Sequence, residues 1–320
     1  MPYASPSAHA PLFANRNFLL LWLTSIICNA ALAIAMMAET WYVITVLGAK
    51  EQLGWVMLAA SVPRLALMAI GGVVADKQSR RRIILYSLLA RSGLLLGLVA
   101  LLQGGVLVIG ALLAFAALYG AMDAFFWPAR DSLAPSIVAH ADLSRANAIM
   151  LSTNQVGMVL GPVLGAALLA FMSYGQVFAI TAGLLVLGAL CMVLMKEPLI
   201  QRTQAAARSL WTELQTGAQY AVRPPVLAAI MLIYTPANLL FVGPLGLCVP
   251  VFVSDTLHGQ ASTLAWLQSS FAAGMVLGGI VLSIWPPRRR RLLMITGMIT
   301  LEGLLLALLP TTSQVWSACA

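Results

Sequence analysis

The sequence predicts an all-α, polytopic membrane protein, with a six-helix N-terminal bundle and an incomplete C-terminal bundle, about nine spans in all. Three observations carry this. Of the 320 residues, 61% are hydrophobic and only 9% are charged, where a soluble domain carries about 25% charged residues. Mean hydropathy is +0.93. Apolar runs long enough to cross a bilayer, roughly 20 residues each, recur along the whole chain. The bases between those runs fall on alternate connections.

The elements follow in order. Residues 1–17 form a polar tail with Pro2, Ser5, Ser7, Pro11 and Arg16. No signal peptide is expected, because the apolar run that follows is too long for one and lacks a cleavage site. That run, 18–47, is the first span. The others are predicted at 53–75, 83–103, 105–126, 148–172, 174–195, 226–252, 262–285 and 292–310. Gly48 to Glu51 separates the first pair, and Gln103-Gly104-Gly105 and Ser173-Tyr174-Gly175 are tight turns. Residues 196–225 read as a linker on the cytoplasmic surface. It holds an amphipathic stretch, Ser209 to Val222, with Leu210, Trp211, Leu214 and Tyr220. The expected domains are therefore the tail 1–17, a bundle 18–195, the linker 196–225 and a partial bundle of about three helices, 226–320.

Orientation comes from the bases. With the N-terminus inside, fifteen of the eighteen Lys and Arg lie on the cytoplasmic side. They include Arg16, Lys77, Arg80 to Arg82, Arg130, Arg145, Lys196 and Arg288 to Arg291. Lys50 alone falls outside, and Arg64 and Arg91 lie within spans. The net charge of +8 is thus a matter of topology rather than of nucleic-acid binding. Cys28, Cys191, Cys248 and Cys319 show no metal or disulfide spacing. No cofactor, no metal and no catalytic Ser/His/Asp set is expected. The absence of GxxxxGK[ST] argues against ATP-driven export by this chain, and no pore-loop signature suggests a channel.

Several residues stand out by chemistry. Asp76 sits beside Arg80 to Arg82, after Gly71-Gly72, in a short turn expected at the membrane surface. Glu39 lies inside the first span, where a carboxyl should face a cavity and suits reversible protonation. A polar residue near the outer mouth is the other reading. Arg64, deeper in span two, should pair with Glu39 or Asp123, as a structural ion pair or a transport site. Arg91 is expected close enough to the inner surface to snorkel. Asp123, at the cytoplasmic end of span four, should pair with Arg130 or with the loop bases. Pro162 lacks a backbone donor and kinks its helix, while Gly157, Gly161 and Gly165 allow close packing. Gly157 to Gly161 recurs identically as Gly274 to Gly278, which suggests parallel repeats of six helices.

These segments resemble the major facilitator superfamily. Gly71 to Arg82 is similar to its loop between helices two and three, G-x-L-A-D-x-x-G-R-K/R, with Ser79 at the usual glycine. Gly157-xxx-Gly161-Pro162-xx-Gly165 resembles the fifth-helix motif of its drug:proton antiporters, with Ala166 at the last glycine. Phe125 to Arg130 with Arg145 to Ala148 resembles a loop of the macrolide-efflux and enterobactin-exporter branch, and Trp211 to Pro225 resembles its central linker.

The resemblance implies a secondary transporter in the inner membrane of a bacterium, exporting an amphipathic drug, macrolide or siderophore against protons. It implies a cytoplasmic latch at Gly72, Asp76, Arg80 and Arg81, with Asp76 capping a helix or pairing with a base. It also implies a hinge and seal between bundles at Gly157, Gly161, Pro162 and Gly165, and proton or substrate roles for Glu39, Arg64 and Asp123. The superfamily has twelve helices, so a chain of about nine spans is expected to be a fragment or to have an incomplete second bundle. The alternative function is a truncated, transport-inactive membrane scaffold.

Overall fold

The computed structural model describes residues 12–196 and 243–284, together with Gly297, Thr300, Leu301, Gly303 and Leu304. Eight helices account for nearly all of these residues: α1 (Arg16–Thr45), α2 (Leu53–Lys77), α3 (Arg80–Gln103), α4 (Ile109–Ile137), α5 (Leu143–Phe171), α6 (Tyr174–Leu194), α7 (Gly243–Asp255) and α8 (Ala261–Ile284). The first six are each long and apolar enough to cross a membrane. The linker, most of the seventh and ninth expected spans, and the basic run Arg288 to Arg291 lie outside the described residues.

Local chemistry sets the helix ends. Asn15 caps α1, accepting from the backbone N–H of Asn17 and Phe18. Ser173 caps α6 in a reciprocal capping box with Gln176. Gly48 and Gly105 turn the chain in the left-handed region, at φ 61° and 66°.

Helix α4 differs from its expected span of 105–126. It runs on to Ile137, through Pro128 and Pro135 and through the stretch Phe125 to Arg130 that had read as a loop. A proline deletes one backbone donor but need not end a helix whose neighbours take up the freed groups. Here the neighbour is α2. Pro128 leaves the carbonyl of Ala124 without its usual donor, and that carbonyl lies where a side chain on Gly71 would stand. The same arrangement recurs in reverse. The carbonyl of Ala60, one residue after the Ala59 carbonyl that Pro63 leaves without a donor, lies where a side chain on Gly120 would stand. Two backbone carbonyls, each close to a proline in its own helix, thus seat on two glycines and bring α2 and α4 into backbone contact. Gly72, by contrast, faces no described atom within 4 Å.

Around this pair, α3 packs on α4 and α6, and α1 packs on α5 and α6. In the α1–α5 seam, Asn29, Ala33 and Met37 lie against Gly157, Gly161 and Gly165. A Cβ would stand 3.0 Å from Asn29 Cβ at Gly157 and 2.9 Å from Met37 Cβ at Gly165. The chain after the first bundle rests on α2 and α5. Leu247 of α7 approaches Gly54, Met57 approaches Gly246, and Ser269 of α8 donates to the carbonyl of Val159 at 2.7 Å.

Candidate functional site: an ion cluster at mid-depth

The connection between α2 and α3 is only Gln78 and Ser79, so the surface charges are held close together. Ser79, not Asp76, caps α3, accepting from the N–H of Arg82 at 3.3 Å. Asp76 sits in the last turn of α2 and pairs with Arg80 at 3.5 Å, with its side chain 73% exposed. The arginines reach further. Arg80 donates to the carbonyl of Ser132 at 2.8 Å, in the α4 turn just before Pro135. Arg81 donates to the carbonyls of Met192 and Val193 at 2.7 and 2.8 Å. Arg16 reaches Leu194 O at 3.4 Å. Cations on the last carbonyls of a helix satisfy groups that have no intrahelical donor. These contacts tie the ends of α1, α3 and α6 together.

A second charge cluster lies deep inside. Asp123 is midway along α4, fourteen residues from either end, rather than at the end of a span. Arg91 is eleven residues into the 24-residue α3, and Arg64 eleven into the 25-residue α2. Each charge is therefore near the middle of its own helix. Arg91 Nη1 donates to Asp123 Oδ1 at 2.7 Å, and Arg64 Nη1 approaches Asp123 Oδ2 at 3.7 Å.

Arg91 does not snorkel, because its side chain is 0% exposed. It also donates to Ser87 O and Ser87 Oγ, at 3.4 and 3.3 Å. Its guanidinium lies 4.3 Å from the Phe126 ring centroid and 5.5 Å from that of Tyr119. Ionic, hydrogen-bond and ring partners together offset the loss of water that excludes a bare cation from such a site.

Arg130 is not a partner of Asp123. It pairs with Asp131 at 3.1 Å, donates to Ser25 Oγ at 3.1 Å and to Asn154 Oδ1 at 3.2 Å, and stacks on Trp127. Asn29 donates to the same Asn154 oxygen at 2.8 Å, and Trp22 donates to Thr153 at 2.8 Å. This network joins α1, α4 and α5 beside an open cavity of about 260 Å³ lined by Arg130, Asp131, Asn147, Met150 and Asn154. The residues that single-span reading missed are Asn29 and Asn154. Their signal was two amides inside otherwise apolar runs.

Glu39 lies six residues before the end of α1. Its Oε1 is out of contact with solvent and has no hydrogen-bond partner among the described residues. Of the two partners expected for Arg64, the structure provides Asp123. The glycines of α5 face α1, where their bare backbones fit the Asn29–Ala33–Met37 ridge, while α8 packs on α5 through Ser269 and Val159. Helix α5 continues through Pro162 without a break. Lys50, the lone base expected outside, pairs with Asp255 at the end of α7.

A bundle of membrane-length helices with hydrogen-bonded charges in its interior is the architecture of a multi-pass membrane protein. The Major Facilitator Superfamily profile matches residues 21–320, and the chain belongs to that superfamily. Macrolide efflux protein A of Streptococcus pyogenes is 22% identical over 295 residues, covering 91% of this chain and 72% of that protein. The multidrug efflux pump Tap of Mycolicibacterium fortuitum is 26% identical over 320 residues, covering 94% of this chain and 76% of the pump.

Among solved structures, a bacterial homologue of the human lysosomal transporter Spinster, inward-facing and occupied, superposes with a TM-score of 0.67 at 19% identity. It covers 95% of this chain and 71% of its own. A D-xylose–proton symporter superposes with a TM-score of 0.65 at 12% identity, over 96% of this chain and 77% of the symporter. The chain is a transporter of this superfamily with efflux pumps among its relatives.

Proposed function

We propose that the protein is a secondary active exporter of an amphipathic small molecule, such as a drug, macrolide or siderophore, coupled to proton entry by alternating access. It works in the inner membrane of a bacterium with its N-terminus in the cytoplasm, which places the Asp76 turn on the cytoplasmic face. The observation that carries the coupling is Glu39, whose Oε1 is withdrawn from solvent without a partner among the described residues. A carboxylate in that condition is costly, and taking up a proton or a cationic substrate removes the cost. Asp123, between two guanidiniums, is the second candidate for ion or substrate traffic.

Asp76, Arg80 and Arg81 act as a latch that holds helix ends together on the cytoplasmic side, with Gly72 beside them. Gly157, Gly161, Pro162 and Gly165 form the surface on which α1 shifts against α5 as the carrier changes state. Support comes from the carbonyls that Arg80 and Arg81 hold and from the α1 ridge seated in the glycine groove.

The experiment is efflux of a lipophilic fluorescent dye from bacteria expressing the chain, with and without an uncoupler. Export that stops on uncoupling, and that Glu39→Gln abolishes, is the expected result. Export indifferent to the uncoupler would remove the proton from the mechanism.

A further inference from the structure

Among the described residues, this cluster of buried and half-buried ions does not balance. Arg64 and Arg91 share one carboxylate, that of Asp123. Arg91 is fully engaged, with hydrogen bonds to Asp123 and Ser87 and two rings against its guanidinium. Arg64 is not. It stands 3.7 Å from Asp123 Oδ2, too far for a hydrogen bond, and its side chain is 43% exposed. Among the described residues its guanidinium makes no side-chain hydrogen bond, although it carries five N–H donors. The backbone around it is fixed. Four residues before Arg64, Ala60 lies against Gly120, and seven after it, Gly71 lies against Ala124. Only the side chain is free to move. Met68, one turn on along the same face of α2, and the adjacent Leu65 are exposed apolar side chains.

A half-exposed cation at the middle of a membrane helix needs an acceptor, and the described residues do not supply one in full. A planar guanidinium fork matches a carboxylate bidentately. Adjacent apolar side chains suit the hydrophobic part of the same molecule.

We infer that Arg64 is an anion subsite that takes the carboxylate of an amphipathic cargo. Arg91 keeps Asp123 in place while Arg64 turns from Oδ2 to the incoming group. This rests on the transport reading above, and it narrows the cargo to a molecule with one acidic group beside a hydrophobic body.

The test uses the purified full chain in non-ionic micelles and two probes, a fluorescent amphiphile with a free carboxylate and its methyl ester. Each is titrated by fluorescence anisotropy against empty micelles. The wild type should bind the acid at least tenfold more tightly than the ester. In Arg64→Gln the ratio should fall to about one, and in Arg64→Lys, which keeps the charge without the fork, it should lie between. The acid-to-ester ratio does not depend on the folded fraction, because that fraction scales both apparent constants alike, and should Arg64→Gln not fold at all, the wild type and the lysine variant still decide. Equal binding of both probes by the wild type, binding of neither, or an unchanged ratio in Arg64→Gln would overturn the subsite. Dye export from cells is scored separately. Ester exported without any acid preference removes the subsite and leaves export standing. Acid preference without export of either probe keeps the subsite and removes the export reading.

Discussion

The chain holds two arginine clusters built on different physics. At the surface turn, Arg80 and Arg81 spend their donors mainly on carbonyls at or near helix ends, and Asp76, the one carboxylate that they pair with among the described residues, is 73% exposed. At mid-depth, Arg91 is withdrawn from solvent and its carboxylate, Asp123, is 5% exposed. Exposed ion pairs are worth about 0–1 kcal/mol, whereas breaking a buried pair costs about 3–5 kcal/mol because a bare charge is left behind. The turn that looks most distinctive in sequence is therefore the one whose ion pair costs less to break, and the quieter residues at mid-depth are the ones that cannot lose a single partner cheaply.

That contrast can be broken at graded strengths. The largest effect should come from Asp123→Leu, which strands two guanidiniums. Unfolding in SDS should show a loss of about 3–5 kcal/mol, and combining it with Arg91→Met should recover much of that loss. Next comes Gly120→Ala, whose methyl would meet the Ala60 carbonyl. A loss of about 1–3 kcal/mol is expected, while Gly72→Ala, which meets no described atom, should change unfolding by less than about 0.5 kcal/mol. Arg81→Gln removes two hydrogen bonds to the end of α6 and should cost about 1–2 kcal/mol. Smallest is Asp76→Asn, within about 0.5 kcal/mol in stability. The latch proposal nonetheless expects it to slow dye efflux while insertion is normal. Efflux equal to wild type would remove the latch.

Much of the fold was legible because apolar runs of membrane length leave little else to build. What escaped depended on rotation and depth. In sequence the span ends at 126 and Phe125 to Arg130 belongs to a loop, which sets Asp123 at the cytoplasmic end instead of at the centre of α4. Arg91 stands nine residues beyond Arg82, about 13 Å along a helix, a distance that fits snorkelling until a partner on another helix is known. Gly71 and Gly72 are indistinguishable in sequence, and only the facing carbonyl of Ala124 separates their roles. The repeated pentapeptide shows the same limit. Gly157 and Gly161 seat the α1 ridge, while Gly274 and Gly278 meet no described atom within 4 Å. The Asp123–Arg64 pairing was one of the two expected for Arg64, because an acid and a base buried in spans have few other partners.

The most direct measurement is a pair of double-mutant cycles on unfolding free energy, one for Arg91 with Asp123 and one for Arg80 with Asp76. The account predicts a coupling of at least about 2 kcal/mol for the mid-depth pair and under about 0.5 kcal/mol for the surface pair. Equal couplings, or a larger one at the surface, would contradict it.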